Sequence, residues 1–124
     1  MIIRRLKEVK SVEWGNGQSR RFLLAADGMG YTLTDTIVKA GTKSRIQYRQ
    51  HLEACYCIEG TGAVAEADGT MHPIEPGTLY ALDRHDMHFL IADPHNDVRL
   101  VCVFSPPLQG DERHIFRADE FSQY

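Results

Sequence analysis

Residues 76–88 read PGTLYALDRHDMH, and the order of residue types in this stretch limits both the fold and the chemistry. Pro76-Gly77 predicts a tight turn, and the apolar run after it predicts a short strand. His85 and His88 follow, three residues apart around an aspartate, as they would at the rim of a metal site. Tyr80 stands where a third histidine would be expected. The stretch is therefore either a metal site with an unusual ligand or a hairpin with ordinary surface histidines.

The composition is typical of one globular domain. The chain has 124 residues, 43% hydrophobic and 25% charged, which is enough for a single core. The formal net charge of −3 gives no broad basic surface, so no nucleic-acid partner is expected. An apolar run of membrane-spanning length is missing, and the first residues lack the pattern of a signal peptide. We therefore expect a cytoplasmic protein with no membrane partner.

Short strand-like runs between turn residues predict an all-β fold. Many short strands at close spacing are typical of a β-sandwich or barrel. Residues 2–9 could form a strand or one helical turn, and the tail, residues 111–124, could include a short helix or be partly mobile. Helical structure is thus expected only as short segments at the termini. The predicted strands are Arg21–Ala25, Tyr31–Lys39, Ile46–Arg49, Glu53–Ile58, Ala63–Ala67, Leu79–Leu82, His88–Ala92 and Val98–Phe104.

A second stretch, residues 41–60, reads GTKSRIQYRQHLEACYCIEG and has a related spacing. Its glycines and glutamate resemble the first metal motif of the cupin family, and Gly77-x-x-Tyr80 resembles the end of the second. Gln47 and Arg49 replace the His-x-His pair of that family, which excludes a three-histidine cupin site. Glu53 and Tyr80 nevertheless occupy ligand positions. Glycine spacing alone is weak support, because any β-barrel needs glycines at its corners.

Glu53 and Tyr80 would give two oxygen ligands, and a histidine would complete a mixed oxygen and nitrogen set. Such a set suits a divalent first-row metal such as iron, manganese or zinc. His88 opens a predicted strand and can face the strand of Tyr80, whereas His85 lies in the turn and is expected to point to solvent. The alternative is that both histidines are surface residues, as most polar side chains are.

Strand alternation places further side chains on shared faces. If Glu53 faces the barrel interior, Cys55 and Cys57 face it too. The alternate residues of the run 98–104 also share one face. Three threonines of the run 31–39 form a hydroxyl row, which is either exposed β surface or a set of hydrogen-bonding groups for a polar ligand. The three cysteines of the chain are an odd number in strand-like runs and do not predict a disulfide framework.

Longer strings resemble one family in particular. HLEACYCIEG, PGTLYALDRHD and RLVCVFSPPLQG, which occur in this order between Ser19 and His114, are similar to the ectoine synthases, a family of small cupins. The resemblance implies a single cupin domain over residues 1–124, with a barrel core at about 19–107 and a tail at 108–124. It implies a homodimer that closes N-γ-acetyl-L-2,4-diaminobutyrate to the cyclic amidine ectoine with release of water. The product would be a compatible solute made under osmotic stress.

The same resemblance implies roles for individual residues. Iron(II), or another divalent metal, would be held by Glu53, Tyr80 and His88. Candidate catalytic residues are Tyr80, Glu112 and His114, and the substrate-contact positions are Trp14, Arg21, Thr36, Tyr48, His51, Cys102 and Phe104. The alternative to substrate contact for Cys102 is a small packing residue, which is the commoner use of a buried cysteine.

The reaction needs an electrophilic carbonyl, a deprotonated amine and a hydroxyl that leaves as water. Arg21 would pair with the substrate carboxylate, because a guanidinium fork matches a carboxylate. Thr36 would orient the substrate, and Phe104 would pack on its apolar stem. Glu112 and His114 are candidates for proton transfer. The alternatives are a surface salt bridge for Arg21 and a solvated loop for the other two.

Two departures from the family pattern leave other functions open. Trp14 stands five residues before Ser19 instead of close to the SRR segment, and the tail reads IFRADEFSQY instead of an acidic segment ending in glycine, tyrosine and proline. These departures motivate a second function, that of a cupin that cyclises or dehydrates another small amino-acid derivative. A third function is that of a non-catalytic cupin that binds a small solute.

Overall fold

The structure, a computed structural model, describes residues 1–116 and 120–124. The helices in this part of the chain are single 3-10 turns, Leu6–Glu8 and Ala25–Asp27, and neither is long or apolar enough to cross a bilayer. The strands are β1 (Lys10–Glu13), β2 (Gly17–Leu23), β3 (Thr32–Val38), β4 (Lys43–Gln47), β5 (Leu52–Glu59), β6 (Gly62–Glu66), β7 (Met71–Ile74), β8 (Leu79–Leu82), β9 (His88–Ala92), β10 (Val98–Ser105) and β11 (Ser122–Gln123).

The strands form two sheets that enclose one interior. The six-stranded sheet has the order β1-β2-β3-β10-β5-β8, and the five-stranded sheet has the order β11-β4-β9-β6-β7. Neighbouring strands are antiparallel, apart from the parallel pair β11 and β4. The chain crosses repeatedly from one sheet to the other, for example from β4 to β5 and from β8 to β9. This connectivity is that of a two-sheet jelly-roll barrel, and it confirms the predicted all-β barrel.

Alternation along each strand decides which side chains enter the space between the sheets. In β5, Glu53, Cys55 and Cys57 are buried, whereas Leu52 and Tyr56 are exposed. In β10, the alternate residues from position 98 to position 104 are buried in the same way. Both predicted faces are therefore confirmed, and all three cysteines are free thiols.

The threonine row of β3 also faces inward, which resolves the alternative left open by the sequence. Thr32 and Thr34 are fully buried. The Thr32 hydroxyl accepts the backbone N–H of Leu108 at 2.8 Å, and the hydroxyls of Thr34 and Thr36 lie 2.8 Å apart. Two of the threonines thus satisfy polar groups of the fold, and the Thr36 side chain is left at the edge of the interior.

All eight predicted strands are present, but two are displaced: β2 is Gly17–Leu23 where Arg21–Ala25 was predicted, and β4 is Lys43–Gln47 where Ile46–Arg49 was predicted. Three strands were not predicted, each for a local reason. β1 is short, polar and at a sheet edge; β7 contains Pro73 and is also an edge strand; β11 has only two residues. Of the two alternatives for residues 2–9, the helical turn is the one present. The second 3-10 turn, Ala25–Asp27, lies between β2 and β3, so the prediction that helical segments occur only at the termini was wrong. The described residues of the tail contain a strand and no helix, and residues 117–119 lie outside the described residues.

Two glycines with similar backbone conformations allow a test of how tightly the barrel corners pack. Gly60, after β5, has φ +82°, and Gly69, in the β6–β7 turn, has φ +94°. A Cβ atom at Gly60 would lie 2.1 Å from the carbonyl oxygen of Asp97, whereas a Cβ atom at Gly69 would meet nothing within 4 Å.

We expect Gly69→Ala to cost about 1–2 kcal/mol of unfolding free energy, because an alanine at positive φ is strained. Gly60→Ala should lose about 1–3 kcal/mol more, because the added methyl group overlaps backbone that cannot move cheaply. Denaturant unfolding of both variants measures the difference. Equal losses would contradict the packing argument.

Candidate active site

A cavity lies between the two sheets, at the centre of the barrel. The space that it encloses has a volume of about 30 Å³. The three predicted metal ligands, Glu53, Tyr80 and His88, all line it. Six of the other predicted site residues line it as well: Trp14, Thr36, Tyr48, Cys102, Phe104 and His114.

Glu53 reaches the cavity from β5 and is 6% exposed. Burial raises the pKa of this carboxyl to about 8, and the thiols of Cys55 and Cys102 oppose the shift only in part. Among the described residues, no Arg, Lys or His side chain forms an ion pair with Glu53. A buried carboxyl of this kind is stabilised in its charged form by a cation, so its environment fits that of a metal ligand.

Tyr80 is the register partner of Cys55 on the neighbouring strand β8. The residue as a whole is half-buried, and it also lines a second opening of the barrel between β7 and β8. Burial raises the pKa of its hydroxyl, with smaller contributions from Cys55 and Glu53. Without a cation nearby, the phenol is therefore protonated at neutral pH.

His88 reaches the same cavity from the opposite sheet. It is 2% exposed, and its ring centroid lies 6.5 Å from that of Tyr80. Its Nδ1 lies 3.0 Å from the backbone carbonyl of Asp86, so Nδ1 carries the proton and Nε2 keeps a free lone pair. Burial lowers the pKa of the ring, which keeps it neutral. A neutral imidazole oriented through its other nitrogen is the usual state of a metal-binding histidine.

Of the two histidines in residues 76–88, only His88 faces the interior, as strand alternation predicts. His85 is exposed, has φ 56° and donates from Nδ1 to the carbonyl of Tyr48 at 2.9 Å. His85 therefore stabilises the turn, and His88 faces the interior. One detail differs from the prediction: His88 lies on β9 in the opposite sheet and faces Tyr80 across the cavity. The donor set as a whole, a carboxylate, a phenol and an imidazole, fits a divalent first-row ion.

A hydrogen-bonded chain connects the cavity with the tail. The Tyr48 hydroxyl lies 3.0 Å from Nε2 of His114, and Nδ1 of His114 lies 2.9 Å from the Ser122 hydroxyl. The Tyr124 ring covers this series of hydrogen-bonded side chains, with its centroid 4.6 Å from that of His114. Trp14 contacts the other side of His114 edge-on, at 6.0 Å between ring centroids. The tail therefore forms one wall of the cavity.

Three predicted site residues do not line the cavity in this arrangement. Arg21 is buried, but its guanidinium donates to the carbonyls of Gly110 and Glu112 and to the Ser19 hydroxyl. The carboxylate of Glu112 accepts the N–H groups of Gln109 and Gly110 at 2.7 and 2.8 Å. Burial raises the pKa of Glu112, but these bonds outweigh it and leave the pKa below its usual range.

His51 is the third residue outside the cavity lining. Its Nδ1 donates to the carbonyl of Pro106 at 2.6 Å, and its ring packs against Phe104 and Tyr124. Arg21, Glu112 and His51 thus support the cavity wall and the tail from behind. Their predicted contacts with substrate would need the tail to move, and they stay predictions.

Six residues that line the cavity were given no site role from the sequence, and two of them, Cys55 and Tyr124, bear on its chemistry. Cys55 was placed on the correct face but was given no role, and the alternation that selects Glu53 could have suggested it. Tyr124 had no local signal, because it reaches the cavity only after β11 pairs with β4.

The position of His114 predicts a response of the tail to acid. Burial, with smaller contributions from His88 and Arg21, lowers the pKa of His114 to about 3 from an ordinary value of 6.5. Between these values an undocked tail binds a proton that the docked tail excludes. The stabilisation from His114 is therefore complete above pH 6.5 and is lost as the pH falls towards 3.

We expect the fluorescence of Trp14, the single tryptophan, to report the release of the tail as the pH falls. His114→Gln should weaken this pH dependence, because glutamine does not titrate. His95→Gln, in the exposed loop between β9 and β10, is the matched control and should behave as the wild type does. An unchanged titration in His114→Gln would contradict the assignment.

Comparison with known proteins connects this geometry with a family. The family model "Ectoine synthase" matches residues 1–119. An L-ectoine synthase from Halalkalibacterium halodurans is 53% identical over 109 residues, which cover 87% of this chain and 81% of the relative. An ectoine synthase crystal structure from P. lautus superposes with a TM-score of 0.84 at 46% identity, covering 89% of this chain and 81% of that one.

A more distant structure shows the fold alone. A sugar phosphate isomerase of the cupin superfamily from Silicibacter pomeroyi has a TM-score of 0.68 at 16% identity, covering 84% of this chain and 75% of that one. The barrel is therefore a cupin fold. The match of the family model to nearly all of the sequence, and the high identity of the relatives, show that this chain belongs to the ectoine synthase family.

Proposed function

We propose that this chain is an L-ectoine synthase, a hydro-lyase that closes N-γ-acetyl-L-2,4-diaminobutyrate to ectoine. The α-amine, after loss of a proton, attacks the acetamide carbonyl carbon and forms the new C–N bond. The former carbonyl oxygen then leaves as water, and a C=N bond completes the cyclic amidine. The observation that supports this proposal best is one buried cavity lined by nine of the residues that the family resemblance selects.

The side chains that line the cavity suit an intramolecular reaction. Trp14 and Phe104 give apolar walls, whereas Thr36 and Cys102 place polar groups along one side. The cavity of about 30 Å³ would have to widen to admit the substrate. A substrate held folded between these walls would have its amine near its own carbonyl, which removes much of the entropic cost of ring closure. The tail would exclude water from the reacting groups.

A divalent metal fits the donor set, and we propose iron(II) as the ion. Glu53, Tyr80 and His88 would hold it, since they line one cavity from both sheets and are oriented by the contacts described above. When bound, the ion would supply Lewis acidity and help to orient the substrate.

The Tyr48–His114 pair is the best-placed group for proton transfer. His114 is neutral at physiological pH, because its pKa is lowered to about 3. Its Nε2 and the Tyr48 hydroxyl are joined at the cavity surface, so the pair offers both an acceptor and a donor. Glu112 contributes by holding the 109–112 turn, on which the position of His114 depends.

We further propose that the chain forms a homodimer through the outer face of the six-stranded sheet. Three large apolar side chains on adjacent strands are exposed there: Tyr56 is 47% exposed, Leu79 60% and Val103 37%. Tyr56 and Leu79 are register partners, so this face is contiguous. Contiguous exposed apolar surface of this kind is typical of association sites.

The reduced thiols are consistent with a cytoplasmic location, where a compatible solute would be made under osmotic stress.

The direct test of function is turnover. Purified, iron-loaded protein should convert N-γ-acetyl-L-2,4-diaminobutyrate to ectoine, detected by NMR of the product. Absence of the cyclic product would contradict the proposal. Conversion of a different small amino-acid derivative, or binding without conversion, would instead support the alternative functions.

Removal of any one metal ligand should lower both metal content and turnover. We expect Glu53→Ala, Tyr80→Ala and His88→Ala each to lose at least about tenfold in metal affinity, because even supporting residues of metal sites contribute that much. His72→Ala is the control, since His72 is an exposed histidine of β7 that pairs with Glu66. Full iron occupancy together with full activity in a ligand variant would remove that residue from the set.

The dimer proposal predicts that a charge on the apolar face weakens association. Tyr56→Lys should shift the protein towards the monomer in sedimentation analysis, because a lysine cannot be buried there cheaply. Met71→Lys, on the edge strand of the other sheet, is a similarly exposed control. A wild-type monomer would contradict the proposal, as would a Tyr56→Lys dimer of unchanged stability.

A further inference from the structure

Cys55 occupies a central position among the donors of the cavity. On the inner face of the six-stranded sheet, its register partners are Cys102 on β10 and Tyr80 on β8. Glu53 precedes it by two residues on the same face of β5. The carboxylate oxygen and the two sulfur atoms all lie within 4.8 Å of one another, and all three residues are buried. Cys55 therefore lies between two of the three proposed metal ligands.

We propose that the Cys55 sulfur is a fourth ligand of the metal ion held by Glu53, Tyr80 and His88. The inference rests on the proposed metal site and adds a donor to it. On binding, a metal–sulfur bond forms, and the thiol proton passes to the surrounding buffer. The centre would then combine oxygen, nitrogen and sulfur donors.

The contacts of the three cysteines select Cys55. Its thiol interacts with both the Glu53 carboxylate and the Tyr80 hydroxyl. Cys102 interacts with Glu53, but it lies one strand further from Tyr80. Cys57 is turned away, since its thiol donates to the carbonyls of Glu59 and Gly60 at 3.4 and 3.6 Å. An ion in contact with both Glu53 and Tyr80 would be nearest to the sulfur of Cys55.

A sulfur donor would also change metal preference. Thiolate favours zinc and cobalt over manganese, which prefers oxygen donors. The chain should therefore bind Zn²⁺ and Co²⁺ more tightly than an oxygen and nitrogen set alone would, and the advantage should depend on Cys55.

Cobalt spectroscopy tests the proposal without reliance on activity. The Co²⁺-loaded wild type should show a near-ultraviolet thiolate-to-cobalt charge-transfer band. X-ray absorption should show a sulfur scatterer at about 2.3 Å from the metal, which is distinct from nitrogen or oxygen at about 2.0–2.1 Å. Both signals should be lost in Cys55→Ala and kept in the matched controls Cys57→Ala and Cys102→Ala.

A second variant, Cys55→Ser, covers the case in which Cys55→Ala does not fold, and it should lose the same signals. Zn²⁺ affinity in the Cys55 variants should fall at least about tenfold, whereas Mn²⁺ affinity should change little. A cobalt-loaded wild type without a sulfur signal would overturn the proposal, as would a signal that persists in a Cys55 variant. Turnover of the iron-loaded wild type, measured on the same preparation, shows separately whether the proposed function holds.

Discussion

The register of three neighbouring strands, β10, β5 and β8, is the constraint on which the site depends. It sets Cys102, Cys55 and Tyr80 in one row, with Glu53 two residues away on the same face. Because side chains alternate with a period of two, a slip of one residue in β5 would turn its donors to the outside. The same slip would bring the outer residues Leu52 and Tyr56 into the cavity. The chemistry of the cavity and the packing of the barrel are therefore specified by one set of hydrogen bonds.

The tail after β10 closes the cavity that the two sheets form. Arg21, buried beneath it, donates to the carbonyls of Gly110 and Glu112 and so holds the chain as it leaves β10. β11 then pairs with β4 and brings Ser122 to His114 and Tyr124 to the cavity wall. A guanidinium can satisfy several carbonyls at once, which makes it suited to anchor a segment without regular structure. The interior is thus built by the two sheets and closed by the tail, whose strand β11 forms an edge of the five-stranded sheet.

Much of this arrangement could be predicted from the sequence, because the predictions depended on local periodicity. The strand runs, the turn at Pro76-Gly77 and the shared face of Glu53 and Cys55 follow from alternation and turn chemistry. The separation of His85 from His88 follows from the same rule. β1, β7 and β11 escaped prediction because edge position and pairing, not their own residues, make them strands. The ligand and substrate roles came from family resemblance, which spacing alone could not have supplied.

The sequence by itself determined the all-β class and the order and parity of the eight predicted strands, since these depend on residues a few positions apart. Only the tertiary structure decided that the threonine row of β3 faces inward, and that His88 meets Tyr80 from the opposite sheet. It also decided that the guanidinium of Arg21 contacts the tail, while Tyr124 closes the cavity. The physical reason is that these relations join residues far apart in sequence. Their proximity is set by which sheets pack together, and no local pattern encodes it.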